Sequence, residues 1–132
     1  MVPRFKVKTT RRKGRGVFAN CRIKRGEIIE VAPVIILSRR EAILIDKLSL
    51  VNYCFDDWGT KRDQTAFCLG LGSLYNHSYY PNATSFYRLK TKVIVFRALR
   101  DISYGEEITH NYNLPSDKQR PIKFSKNSWR PM

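Results

Sequence analysis

Phe5-Lys6-Val7-Lys8 alternates apolar and basic side chains, the period of a strand with one face toward water. Arg11-Arg12-Lys13-Gly14-Arg15-Gly16 interrupts it as a glycine-punctuated turn, and Val17-Phe18-Ala19 resumes a strand. A second turn, Lys24-Arg25-Gly26-Glu27, feeds Ile28-Ile29-Glu30-Val31, and beyond Pro33 residues 34–37 form another short β-branched run. The period then changes. Ser38-Arg39-Arg40-Glu41 is a capping box, in which the serine hydroxyl accepts from the glutamate N–H and the carboxylate reaches back. Ile43-Leu44-Ile45, Leu48 and Val51 carry helical spacing to about Leu50. Residues 56–63, around Gly59, read as a loop, and 65–71 as a buried strand whose Gly70 and Gly72 admit a close backbone. Residues 83–88 and 92–97 flank Leu89-Lys90-Thr91 as a hairpin. Residues 108–112 form a last short strand, broken by Leu114-Pro115. Many short strands with one helix predict a β-rich α+β domain.

Composition narrows this further. A chain of 132 residues with 42% hydrophobic side chains is large enough to bury a core and too apolar for a disordered basic tail. It reads as a single domain over 1–132, with its core in about 5–113 and a basic C-terminal tail over 114–132. No run approaches the ~20 apolar residues of a membrane helix. Met1-Val2-Pro3-Arg4 leads into charged residues rather than an apolar signal core, so a soluble intracellular protein with no membrane partner is expected. Cys21, Cys54 and Cys68 are too few and scattered for a zinc cluster or a disulfide framework, and are expected as reduced structural thiols with no metal. Without a signal peptide, the glycosylation patterns at Asn76 and Asn82 carry no weight.

The net charge is +14 and unevenly placed: ten Lys or Arg and no acid lie between Arg4 and Arg25, and five more with no acid follow Asp117. Such a surface attracts acidic partners and nucleic-acid backbones through forces that salt screens, and equally serves solubility. Charge bears on where the protein is found rather than on its chemistry.

The chemistry lies in three islands. Gly14-Arg15-Gly16 can bring backbone N–H and C=O groups close to a ligand without Cβ interference, although a glycine pair alone is usually only a turn. Asn76-His77-Ser78-Tyr79-Tyr80-Pro81-Asn82 follows an apolar run, where an Asn and a His are costly unless hydrogen-bonded. His77 beside Ser78 lacks an acid to complete a hydrolytic triad. Gly105-Glu106-Glu107-Ile108-Thr109-His110-Asn111-Tyr112 carries adjacent carboxylates that face opposite ways on a strand, so they fit turn and ion-pair roles rather than a paired acid–base site.

In this order, with Val17-Phe18-Ala19 completing the first, these islands resemble the SET domain of protein-lysine methyltransferases, of the short stand-alone type found in bacteria, archaea and large viruses. The resemblance implies small curved sheets around a C-terminal pseudoknot, in which the last strand passes beneath a loop. It implies S-adenosylmethionine as methyl donor and S-adenosylhomocysteine as product. Lys13, Gly14, Arg15, Gly16, Asn76, His77, Tyr112 and, from the tail, Trp129 would form the cofactor shell, with Phe124 an alternative to Trp129. Arg15 stands where several relatives carry an aromatic residue, and its guanidinium could hold the methionine carboxylate. Tyr112 would be the catalytic tyrosine, and Tyr53, Phe55 and Tyr75 would line the lysine channel, with core packing the alternative for Phe55 and Tyr53. The position two residues past Tyr112 is Leu114, where many relatives have a second tyrosine, so the number of methyl groups transferred stays open. No cysteine follows Cys68, so the zinc segment that closes many nuclear relatives is absent.

The expected substrate is a histone or another basic chromatin-type protein, and the expected place is the nucleus, the nucleoid or a host nucleus. Asp56, Asp57 and Asp63 are candidates to offset the basic surface along the peptide groove. Exposed strands leave a homodimer open. Two alternatives stand beside the enzyme: a SET fold that only binds peptide, and a basic nucleic-acid module displaying Phe86, Tyr87 and Phe96 among Arg88, Lys90, Lys92 and Arg97.

Overall fold

A computed structural model describes residues 3–112. Strands β1 (Phe5–Thr10) and β2 (Gly14–Ala19) form a hairpin in register from Phe5↔Ala19 to Thr10↔Gly14. Its turn is tied by Thr10, whose hydroxyl donates to the Gly14 carbonyl at 2.7 Å and accepts from the Lys13 N–H at 2.9 Å. Gly14, with φ of 70°, supplies the left-handed residue that the turn needs. The turn expected over 11–16 is therefore confined to Arg11–Lys13, and Gly14-Arg15-Gly16 belongs to β2.

Strand β3 (Ile28–Ile36) is one element where two were expected. Its first part pairs with β8 (Val93–Ala98) and residues 34–36 pair with β5 (Gln64–Cys68). Pro33 lies at the exchange of neighbours: its carbonyl takes the Leu69 N–H at 2.9 Å, while the Val34 N–H goes to the Lys92 carbonyl at 3.1 Å. A proline at such a point interrupts pairing without ending the strand.

The capping box forms as expected, with Ser38 as N-cap of helix α1 (Arg39–Ile45). The helix stops well before Leu50. Lys47 and Leu48 bond back to Leu44 and Ile45, tightening the chain, and a separate 3-10 turn covers Ser49–Tyr53. None of the α1 side chains is buried, so no packing supports a longer helix. Strand β4 (Cys54–Trp58) occupies part of the expected loop. Its register shifts between Phe55 and Trp58, and Asp57 takes φ of 60°, so the acidic pair lies on a bulge while Trp58 is buried against Tyr87.

After a 3-10 turn at Gly72–Leu74 come β6 (Asn76–His77), the expected hairpin of β7 (Ala83–Arg88) with β8, and β9 (Glu107–His110). Two sheets result, ordered β1-β2-β9-β6 and β4-β5-β3-β8-β7. Val17, Ala19 and Ile108 from the first share one core with Ala32, Ala66, Ile94 and Phe96 from the second. No helix among the described residues is long and apolar enough to cross a membrane.

The last strand lies between β2, antiparallel, and β6, parallel, in pairs Val17↔Ile108 and His77↔His110. Asn82, 1% exposed, locks it there. Its Nδ2 donates to the Glu107 carbonyl at 2.7 Å and to Glu106 Oε2 at 3.1 Å, and its Oδ1 accepts from the Thr109 N–H at 2.9 Å. Asn82→Ala leaves that N–H and that carbonyl buried without partners, so we expect a loss of about 2–4 kcal/mol in urea unfolding.

Candidate active site

The strand order brings the three islands to one place. Asn76, on β6 and 3% exposed, donates from Nδ2 to the Arg15 carbonyl at 3.1 Å and to Glu107 Oε2 at 2.7 Å. Lys13 reaches the other Glu107 oxygen at 3.7 Å. The backbones are so close that a Cβ on Gly16 would lie 2.5 Å from Glu107 Oε2 and 2.8 Å from Asn76 Nδ2. Here the glycine serves close approach. Arg15 is exposed on β2.

Glu107 was assigned from sequence only to a turn and ion-pair role. The two carboxylates do part, as expected: Glu106, in the turn before β9, meets Arg100 at 2.8 Å, and Glu107, on β9, turns to Lys13 and Asn76. The signal was present, since one of two adjacent acids on a strand must share a face with the neighbouring island.

His77 ties the site to its last described residue. Its Nδ1 accepts from the Tyr112 N–H at 3.1 Å, so in the neutral ring the proton resides on Nε2. That Nε2 is buried and meets no hydrogen-bond partner among the described residues. Burial, and then the charge of Lys13, lower the His77 pKa and keep the ring neutral. The Tyr112 hydroxyl donates to the Tyr75 carbonyl at 2.7 Å.

The Tyr112 ring lies 5.2 Å from His77 and 5.0 Å from His110, and His110 stacks on Phe55 at 6.2 Å. Phe55 is thereby joined to the site through His110, a buried residue not singled out from sequence, although it lies two positions before Tyr112. Tyr53 closes the turn before β4, and its carbonyl accepts from Ser73 Oγ at 2.6 Å. Tyr75 offers this region its carbonyl, while its phenol is buried against Phe96. Phe124 and Trp129 lie outside the described residues.

Cys54 and Cys68 have thiols pushed up to about 11 by burial, with Asp56 and Glu30 respectively adding to it, so both stay protonated near neutrality. Of the aromatics in the nucleic-acid alternative, Phe96 is fully buried and Tyr87 lies 4.5 Å from Trp58 with its hydroxyl on the Asp56 carbonyl. Phe86 is covered by Arg97 and Arg88, 5.3 and 5.6 Å from its centroid. These rings are not an open stacking platform.

Residues 14–113 match the SET domain family model. A Schizosaccharomyces pombe histone-lysine N-methyltransferase specific for H3 lysine-37 is 33% identical over 108 residues, 82% of this chain and 72% of that protein. The chain belongs to the SET-domain family. Among solved structures, a Plasmodium falciparum protein assigned as a histone methyltransferase superposes with a TM-score of 0.67 at 27% identity, covering 86% of this chain and 96% of that one. The Neurospora SET-domain histone lysine methyltransferase DIM-5 agrees in fold, with a TM-score of 0.66 at 19% identity over 92% of this chain and 55% of its own. The SET fold is therefore the one expected from the islands, and the enzyme class is that of the protein-lysine methyltransferases.

The neutral His77 gives this SET domain a pH signature. Its folded pKa lies below the unfolded value of 6.5, so the unfolded chain binds the proton more readily. The stabilisation is complete above about 6.5 and fades as pH falls through the folded value. Melting temperatures should drop between pH ~7.5 and ~5.5, and drop less in His77→Asn, whose amide oxygen still accepts the Tyr112 N–H.

Proposed function

We propose that this SET domain transfers a methyl group from S-adenosylmethionine to a lysine of a histone or similar basic chromatin protein, with Tyr112 as the catalytic tyrosine. One observation carries the reading: the Tyr112 hydroxyl is held on a backbone carbonyl beside Asn76, Glu107 and the unmatched Nε2–H of His77. These groups fit the donor's chemistry. Lys13 and Arg15 suit its carboxylate, Glu107 and the Asn76 carbonyl oxygen its ammonium, and His77 Nε2–H offers a buried donor to an acceptor. When bound, S-adenosylmethionine supplies an electrophilic methyl on a positively charged sulfur.

The protein's own task is then alignment and desolvation rather than stabilisation of new charge. A lysine must arrive as the neutral amine, which at pH 7 costs about 4–5 kcal/mol from a free pKa near ~10.4. Phe55 and His110, with Tyr53 nearby, form a low-dielectric wall that disfavours the ammonium and so offsets that cost. Tyr112 donates its phenol proton to the Tyr75 carbonyl, so its oxygen would meet a polarised methyl as an acceptor of weak C–H contacts. The products are methyl-lysine, S-adenosylhomocysteine and a proton.

The +14 charge opposes a basic substrate. Asp56 and Asp57 follow Phe55 directly on β4 and supply the compensating acids. Burial, then the charge of Asp57, raises the Asp56 pKa, as expected for acids crowded together. A histone substrate would place the protein in the nucleus or on chromatin, where its basic surface also favours salt-dependent contact with DNA.

Radiolabelled S-adenosylmethionine with core histones should label lysine, and Tyr112→Phe should lower kcat by about a hundredfold or more, with cofactor affinity by calorimetry little changed. No transfer together with no cofactor binding would overturn the reading. Replacing Asp56 and Asp57 by Asn, which tolerates the Asp57 backbone, should raise KM for a basic histone peptide several-fold at constant kcat. An unchanged KM would remove these acids from substrate recognition.

A further inference from the structure

The carbonyl that holds Tyr112 belongs to a residue fastened from the far side of the core. Tyr75 is 1% exposed, and its ring centroid lies 4.5 Å from that of Phe96. Its hydroxyl donates to Glu30 Oε1 at 2.8 Å, and Glu30 Oε2 accepts from the Leu71 N–H at 2.9 Å. One carboxylate, delivered by β3, thus clips both ends of the segment 71–75. Between them, Ser73 Oγ bonds the Tyr53 carbonyl at 2.6 Å.

The segment has little room to shift. A Cβ on Gly70, at φ of 88°, would lie 2.7 Å from Glu30 Oε2. One on Gly72 would lie 2.5 Å from Cys68 Sγ and 2.9 Å from Phe96. Burial, then the Glu30 charge, raises the Tyr75 phenol pKa far above neutrality, so it remains a donor. A carbonyl can turn only if its peptide planes turn, and these are held by the Tyr75 ring on one side and by the β6 pairing of Asn76 with Thr109 on the other.

We propose that Glu30 is a positioning residue for the Tyr112 hydroxyl, acting through the Tyr75 ring and its backbone carbonyl. Glu30 touches no reacting atom. It sets the direction of the acceptor that sets the direction of the phenol. The catalytic meaning of this chain of contacts rests on Tyr112 being the catalytic tyrosine, whereas its geometric part does not.

Two variants probe it. Glu30→Gln keeps the side chain's size but has one acceptor oxygen for two donors, and Tyr75→Phe removes only the hydroxyl. With 3-fluorotyrosine incorporated, the Tyr112 resonance is assigned by its loss in Tyr112→Phe. In both probe variants it should shift or split, without cofactor or substrate. On core histones with S-adenosylmethionine, Tyr75→Phe should lower kcat by about tenfold, the value of one hydrogen bond, with KM for both substrates within about twofold. In a Tyr112→Phe background the same substitution should cost nothing further, because the phenol it positions is gone.

A Tyr112 resonance unmoved in both variants overturns the proposal. So does an equal loss of kcat with and without the Tyr112 hydroxyl, which marks a role in general stability alone. Should wild type label no histone, the fluorine measurement decides for or against the positioning by itself. Loss of both transfer and cofactor binding in wild type counts against the methyltransferase reading instead.

Discussion

The candidate site of this molecule hangs on a strand of four residues that must satisfy two neighbours of opposite sense. β9 bonds antiparallel to β2 and parallel to β6, and so brings the hairpin alongside the Asn76-His77 pair, where the Asn76 side chain reaches the Arg15 carbonyl directly. Alternation then divides its side chains. Ile108 and His110 are buried, Ile108 in the core that joins the sheets, while Glu107 faces Asn76 and Lys13. The same backbone completes the core and builds the candidate site. Asn82 makes this arrangement tolerable by meeting the Glu107 carbonyl and Thr109 N–H, groups that the short ladder leaves over.

A chain with so few acids places several of them at joints. Glu30 closes the segment before β6, Glu106 gathers Arg100, Asn82 and the Ser103 N–H, and Glu107 bridges β9 to β6. Each carboxylate accepts at least one uncharged donor besides any cation it meets. Exposed pairs such as Arg22–Asp101 contribute little, and salt erodes them. The Glu30 and Glu107 joints are part-buried and so are screened less.

Much of the architecture was legible beforehand. Alternation revealed β1, the hairpin about Leu89-Lys90-Thr91 anticipated β7 and β8, and the Ser38–Glu41 spacing placed the start of α1. Errors fell where a local signal was overridden. Pro33 looked like a break, yet it lies where a strand changes partners. Apolar spacing to Val51 looked helical, yet nothing packs on α1 to sustain it. Asp56 and Asp57 looked like a loop because a bulge hides a strand. In the site, Tyr112, Asn76, His77 and the glycine pair were named in advance, whereas Glu107 had only a turn role and His110 none. The part played by the Tyr75 carbonyl was invisible, since a main-chain atom leaves no mark in a sequence.

By itself the sequence determined the family, the strand-rich class and the side chains able to do chemistry, because these follow from residue type, spacing and local backbone preference. Tertiary structure alone decided which of them meet. Glu30 and Tyr75, like Asn82 and Thr109, are remote in the chain and adjacent only once the strands are ordered. Contacts of that kind depend on sheet order and register, and a one-residue slip in register would turn every such side chain to the opposite face.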